Sequence, residues 1–155
     1  KWGYSLPDGK LIINARSETA AEKPLFRDGM LNRRCLVPAS NYFEWEKRGK
    51  EKVKYAIRPA GHPMLYMAGV YRMEGGRPVF AILTREPAKP IAFIHDRMPV
   101  ILTAQTGRAW LENQPIPQLL PLLSAFPAGE MEAYAVGALI NSPANDSPEC
   151  IQPAG

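Results

Sequence analysis

Sixteen prolines are spread through 155 residues. Each one fixes its own φ and removes a backbone donor, which rules out a bundle of long helices and favours short elements joined by many turns. A chain of this length can still bury a sizeable core as one domain without metals or disulfides. Its apolar runs are short and broken by Pro, Gly or charge, so neither a signal peptide nor a membrane span is expected and the reading is a soluble, cytoplasmic protein. The two cysteines, Cys35 and Cys150, have no Cys or His at zinc-ligand spacing, which argues against a structural metal and a disulfide framework and for a reducing compartment. A net charge of +4 favours an anionic partner such as nucleic acid.

Read along the chain, strands predominate. The chain opens at Lys1 with strand-like Trp2, Gly3 and Tyr4, as if inside an element. Residues 11–15 are expected as a short buried strand, and residues 18–32 as a helix interrupted or preceded by a loop at Pro24. Residues 34–46 (RCLVPASNYFEWE) are expected as one edge or bulged strand around Pro38, followed by a charged hairpin turn at 47–52. Residues 53–58, 64–71 and 79–84 are expected to pair as an antiparallel meander, the last two across a Gly-Gly turn. Residues 104–112 and 117–124 are expected as short helices, and the tail from Ala133 as loop and strand. The fold class that follows is α+β: a strongly bent, barrel-like, mainly antiparallel sheet with a few peripheral helices.

Ionisable groups inside apolar segments carry the functional signal, because burying them is costly unless partners or a function offset it. Asn14 and Arg16 follow Leu-Ile-Ile, Glu44 lies between Phe43 and Trp45, and His95, Asp96 and Arg97 interrupt the run from Ile91 to Leu102. Glu44 is either an edge-strand glutamate facing solvent or a carboxylate held between aromatics, its pKa raised into the range of a general acid or base. His95 is either a core histidine bonded to a carbonyl or a site residue; Asp96 and Arg97 beside it suit the second, since three consecutive polar residues cannot all be core. Asp96 suits a loop-orienting role, and Arg97 a phosphate or a carboxylate. Asn14 is a strand-end turn residue or, with Arg16 two positions on and on the same side, part of a place for a sugar and a phosphate. Arg16 has a salt bridge to Glu18 or Glu22 as its alternative. Cys35 reads as a small buried apolar residue.

Four ordered blocks resemble the SOS-response-associated peptidase (SRAP) family, whose members process abasic sites in single-stranded DNA: WGY at 2–4, NARSET at 14–19, RCLVPASNYFEWE at 34–46 and IHDRMPVIL at 94–102. NSPANDSPECIQP at 141–153 resembles its closing segment. The resemblance implies one SRAP-like domain over 1–155, without cofactor or metal. It also implies a monomeric partner of single-stranded DNA carrying abasic sites, cytoplasmic and nucleoid-associated on DNA damage. In the family an N-terminal Cys captures the open-chain sugar aldehyde, its amine forming a Schiff base that its thiol closes to a thiazolidine crosslink. By the resemblance Asn14 positions that cysteine and the opened sugar, and Glu44 shuttles protons at the amine. His95 protonates the ring oxygen and promotes reversal, Arg16 and Arg97 contact DNA phosphate, and Thr84 lines the same pocket. Family members carry roughly sixty residues ahead of the NAR block where thirteen stand here, so an N-terminal portion with the cysteine is expected to be missing, and crosslinking with it. The tryptophans some members carry between the positions of Tyr4 and Asn14 are also absent, which leaves base stacking there without its usual platform.

Two other functions compete with this lyase-like chemistry. One is a thiol peptidase, or an autoprocessing one, which would need Cys35 near His95. The other is a non-catalytic single-strand binder with Arg16, Arg33, Arg34 and Arg97 along a groove.

Overall fold

The computed structural model describes residues 1–124 and 130–155. In chain order the strands are β1 (Tyr4–Ser5), β2 (Leu11–Ile12), β3 (Asn14–Arg16), β4 (Arg34–Ala39), β5 (Tyr42–Arg48), β6 (Glu51–Pro59), β7 (Leu65–Glu74), β8 (Arg77–Arg85), β9 (Met98–Pro99), β10 (Ile101–Leu102) and β11 (Met131–Ala135). The helices are α1 (Pro24–Asn32), α2 (Ala104–Leu111) and the single turn α3 (Ile116–Leu119), with short 3-10 turns between elements. The class is α+β, as the sequence implies. The sheets are mixed or antiparallel and, among the described residues, none closes into a barrel.

Two compact units divide the chain. The first takes Lys1–Pro38, Tyr66–Glu86 and residues 98–124. Its six-stranded sheet runs β10-β7-β8-β3, with β4 also on β7 and β9 also on β8. The expected Gly-Gly turn joins β7 to β8: Gly75 and Gly76 have φ of 53° and 77°, the left-handed pair a two-residue hairpin turn requires. On the other side of β8 lies β3, and here the pairing is parallel, with Asn14 opposite Ile82 and Arg16 opposite Thr84.

The helices of this unit are shorter than the expected spans because their ends are chemically set. Pro24 starts α1, where a missing N–H costs nothing. Phe26, Gly29 and Met30 form its buried stripe, and a Cβ on Gly29 would meet Val70 Cβ at 2.8 Å. The helix therefore lies directly on β7. Thr103 and Thr106 form a reciprocal capping box at the start of α2. The Arg34 guanidinium gathers the loose carbonyls at both C-terminal ends, donating to Met30 O, Leu31 O, Trp110 O and Glu112 O. Trp110 is fully buried and donates its indole N–H to Cys35 O at 3.1 Å. With Tyr4, Phe26, Met30, Val70, Leu83, Val100 and Leu119 it makes the core.

The second unit takes Ala39–Leu65, Pro87–Arg97 and residues 130–155. Its sheet is β11-β6-β5, antiparallel throughout. Here the sequence reading needs correction twice. Residues 34–46 are not one strand, because the chain breaks at Ser40 into β4 and β5. The meander also fails, since β6 pairs with β5 and β11 and not with β7. The chain leaves β6 through Gly61, at φ 72°, and Pro63, a connection unlike the tight turns that set hairpin register. The charged turn is as expected: Gly49, at φ 62°, lies between Arg48 and Glu51, which face each other at the end of the β5–β6 ladder.

Candidate active site

Glu44 lies mid-strand in β5, directly opposite Tyr55 of β6. Side chains alternate along a strand, so Phe43 and Trp45, its neighbours in sequence, project to the other face. The groups on Glu44's own face are Tyr42, Glu46 and, across the ladder, Tyr55. The aromatics that flank it in space are therefore tyrosines two positions away or one strand over, rather than the Phe and Trp of the sequence reading. Tyr55 is fixed on both sides: its hydroxyl lies 3.1 Å from both Glu46 Oε2 and Arg48 Nη2, and its ring takes the edge of Phe93 at 5.6 Å and 88°. Phe93 stands two residues before His95, so this ring contact anchors the His95 segment to the β5–β6 pair.

The electrostatics agree. Burial pushes the Glu44 carboxyl above its usual range; the charge of His95 and the Trp45 backbone N–H pull it back, and Asp96 pushes it further up. The sequence-predicted Glu44 and His95 thus sense each other within the second unit. The imidazole has two partners at one nitrogen: His95 Nδ1 lies 3.1 Å from the Arg97 backbone N–H and 3.0 Å from Asp96 Oδ1. One nitrogen cannot serve both at once. Without a proton Nδ1 accepts from the Arg97 N–H; with one it donates to Asp96. Arg97 itself is half-buried.

The remaining predicted residues belong to the first unit. Along β3, Asn14 and Arg16 are exposed and Ala15 is buried, so the amide and the guanidinium share one solvent-facing side as expected. Thr84 is buried, and its hydroxyl donates to Ala15 O at 3.4 Å, which makes it a brace of β3 against β8. Of the further arginines, four carbonyls hold Arg34, and Arg33 pairs with Asp28 at 2.7 Å. Burial pushes the Cys35 thiol up to about 11, so it is almost wholly protonated at neutral pH and a poor nucleophile. Sequence reasoning missed Tyr42, Tyr55 and Phe93; the i±2 alternation of β5 was the available signal for Tyr42, whereas Tyr55 needed the hairpin register. Among the described residues no three of His, Cys, Asp and Glu cluster as metal ligands would, and no helix is long and apolar enough to cross a membrane.

The family profile for SOS response associated peptidase (SRAP) matches residues 1–143. Abasic site processing protein YoqW of Bacillus subtilis is 38% identical over 159 residues, covering 97% of this chain and 71% of YoqW. YedK of Escherichia coli is 30% identical, with 98% and 72% covered, and HMCES of Gallus gallus is 31% identical, with 90% and 49% covered. Among solved structures, a Bacteroides thetaiotaomicron protein superposes with a TM-score of 0.84 at 32% identity, over 92% of this chain and 66% of that one. The chain thus spans about half of the vertebrate relative and just under two thirds of the solved structure. On the family profile, the near-complete coverage by these relatives and the shared fold, this chain belongs to the SOS response associated peptidase (SRAP) family.

Proposed function

We propose that the chain processes abasic sites in single-stranded DNA, with Glu44 and His95 moving protons during formation and reversal of a Schiff base at the sugar aldehyde. The observation that carries this reading is the half-buried Glu44 carboxyl, pushed up by burial and held within the field of His95. An acid/base works best when its pKa approaches the operating pH. Arg97 contributes positive charge to the phosphates, and Asn14 and Arg16, on one side of β3, contact the same DNA. Thr84 acts indirectly, by holding β3. YoqW, YedK and HMCES, each named an abasic site processing protein, point to the same substrate class. The thiol-peptidase alternative is weakened by the protonated Cys35 thiol.

A stable crosslink demands more than a Schiff base. An amine attacks the aldehyde and water leaves; a thiol on the adjacent carbon then adds to the imine carbon and closes a thiazolidine. Cys35 and Cys150 offer thiols, but their own nitrogens lie in peptide bonds, and Lys1 offers an amine without a thiol. The crosslink is therefore proposed for a form that carries the family's N-terminal Cys. The test is a denaturing gel with an oligonucleotide containing one abasic site. The 155-residue chain should give at most a borohydride-trappable adduct, and a form with an N-terminal Cys a heat-stable one. In that form Glu44→Gln should slow formation about 100-fold or more, and His95→Ala should slow reversal. A permanent adduct of the shorter chain at Cys35 or Cys150 would overturn the mechanism.

A further inference from the structure

The hydroxyl of Tyr42 is shut off from solvent and meets no hydrogen-bond partner among the described residues. Buried donors in native proteins are nearly always satisfied, so an orphaned one calls for a partner beyond those it meets among the described residues. Alternation along β5 puts Tyr42 on the face of Glu44, one step along the ladder: Tyr42 faces Ile57 and Glu44 faces Tyr55. Tyr55, the other phenol on this face, is engaged by Glu46 and Arg48. That leaves Tyr42 as the phenol available to Glu44. Burial and the Glu44 charge both push the Tyr42 phenol above its usual range, so it remains an O–H donor wherever Glu44 ionises. The other charged or titratable groups facing Glu44 are His95 and Asp96 from the segment before β9, with Glu46 and Tyr55 on the β5–β6 face.

We infer that Tyr42 is a positioning residue for Glu44: its buried hydroxyl donates to the Glu44 carboxylate in the working site and holds that carboxylate in one orientation. The inference rests on the proposed acid/base role of Glu44. It adds to that role a residue whose aromatic ring alone would read as packing.

Tyr42→Phe removes one oxygen and keeps the ring, so the fold is retained. The first readout is the titration of the Glu44 side-chain carboxyl carbon by NMR in the 155-residue chain with an abasic-site oligonucleotide bound. A carboxylate that has lost a donor is harder to ionise, so the midpoint should rise by about half a pH unit or more. The second readout is the abasic-site reaction in a form with an N-terminal Cys, where Tyr42→Phe should lower the rate about fivefold with DNA affinity unchanged. A midpoint equal to that of the unsubstituted chain overturns the inference and leaves the proposed function standing. A raised midpoint with an undiminished rate overturns the positioning role. If Glu44→Gln instead reacts at full rate, the proposed function falls and the positioning role with it, whatever the NMR midpoint shows.

Discussion

A half-buried carboxylate is a liability to the fold and an asset to chemistry, and Glu44 shows how the two can be separated. Its carboxyl titrates above the usual value because burial disfavours the charge. A group whose folded-state pKa is raised contributes its stability in full below the unfolded pKa and loses it as pH rises through the folded one. At neutral pH the burial of Glu44 therefore weakens the fold. Glu44→Gln should melt a few degrees higher at pH 7, on the order of 2 °C, and the gain should vanish near pH 4, where the native carboxyl is also neutral; calorimetry at the two pH values decides it. Equal melting temperatures at pH 7 would mean that burial does not strain this group. The sequence marked the residue but misread its surroundings. A glutamate inside Tyr-Phe-Glu-Trp stands out in any apolar run, yet which rings surround it depends on strand alternation and on the partner strand, and neither is written in the four letters. The His95 cluster was legible for the same reason as Glu44. Its division into two protonation partners needed the backbone of Arg97.

Elements built on local rules were readable. Gly-Gly gave the β7–β8 hairpin, Pro24 the start of α1 and the charged run the β5–β6 turn, because turn residues and helix starts depend on neighbours in sequence. The assignment of β6 to the sheet of β5 and β11 was not readable, because alternation in residues 53–58 describes a strand with a buried face and does not say which strand lies beside it. Close packing gives a sharper example. Gly29 in α1 looks like a weak helix residue, and Ala is the better helix former by about 1 kcal/mol. Its absent side chain is nevertheless where α1 meets β7, with Val70 Cβ 2.8 Å from any added Cβ. Gly29→Ala should thus lower stability, by about 1–3 kcal/mol, as overpacking outweighs propensity. Urea unfolding measures it. A variant more stable than the parent would show that α1 can lift from the sheet at little cost.

At the scale of the whole molecule, charge is the property that DNA senses first. Under the proposed function, the net +4 and the exposed Arg16 on β3 make DNA binding an exchange of counterions for cationic side chains. Arg16→Ala should weaken binding to single strands of any sequence alike and flatten the slope of log affinity against log salt by about 1. Binding that prefers duplex, or an unchanged slope, would remove Arg16 from the phosphate contacts. The parallel pairing of β3 with β8 has a further consequence, measured in time. Thr84 braces Ala15 across 69 positions of sequence, and a ribosome adding about 5–20 residues per second makes the first of these strands wait about 3–14 s for its partner. Throughout that interval the Asn-Ala-Arg segment is a nascent strand with no neighbour in its sheet, so in every copy of the protein the face that carries Asn14 and Arg16 waits for roughly half of the chain to be made.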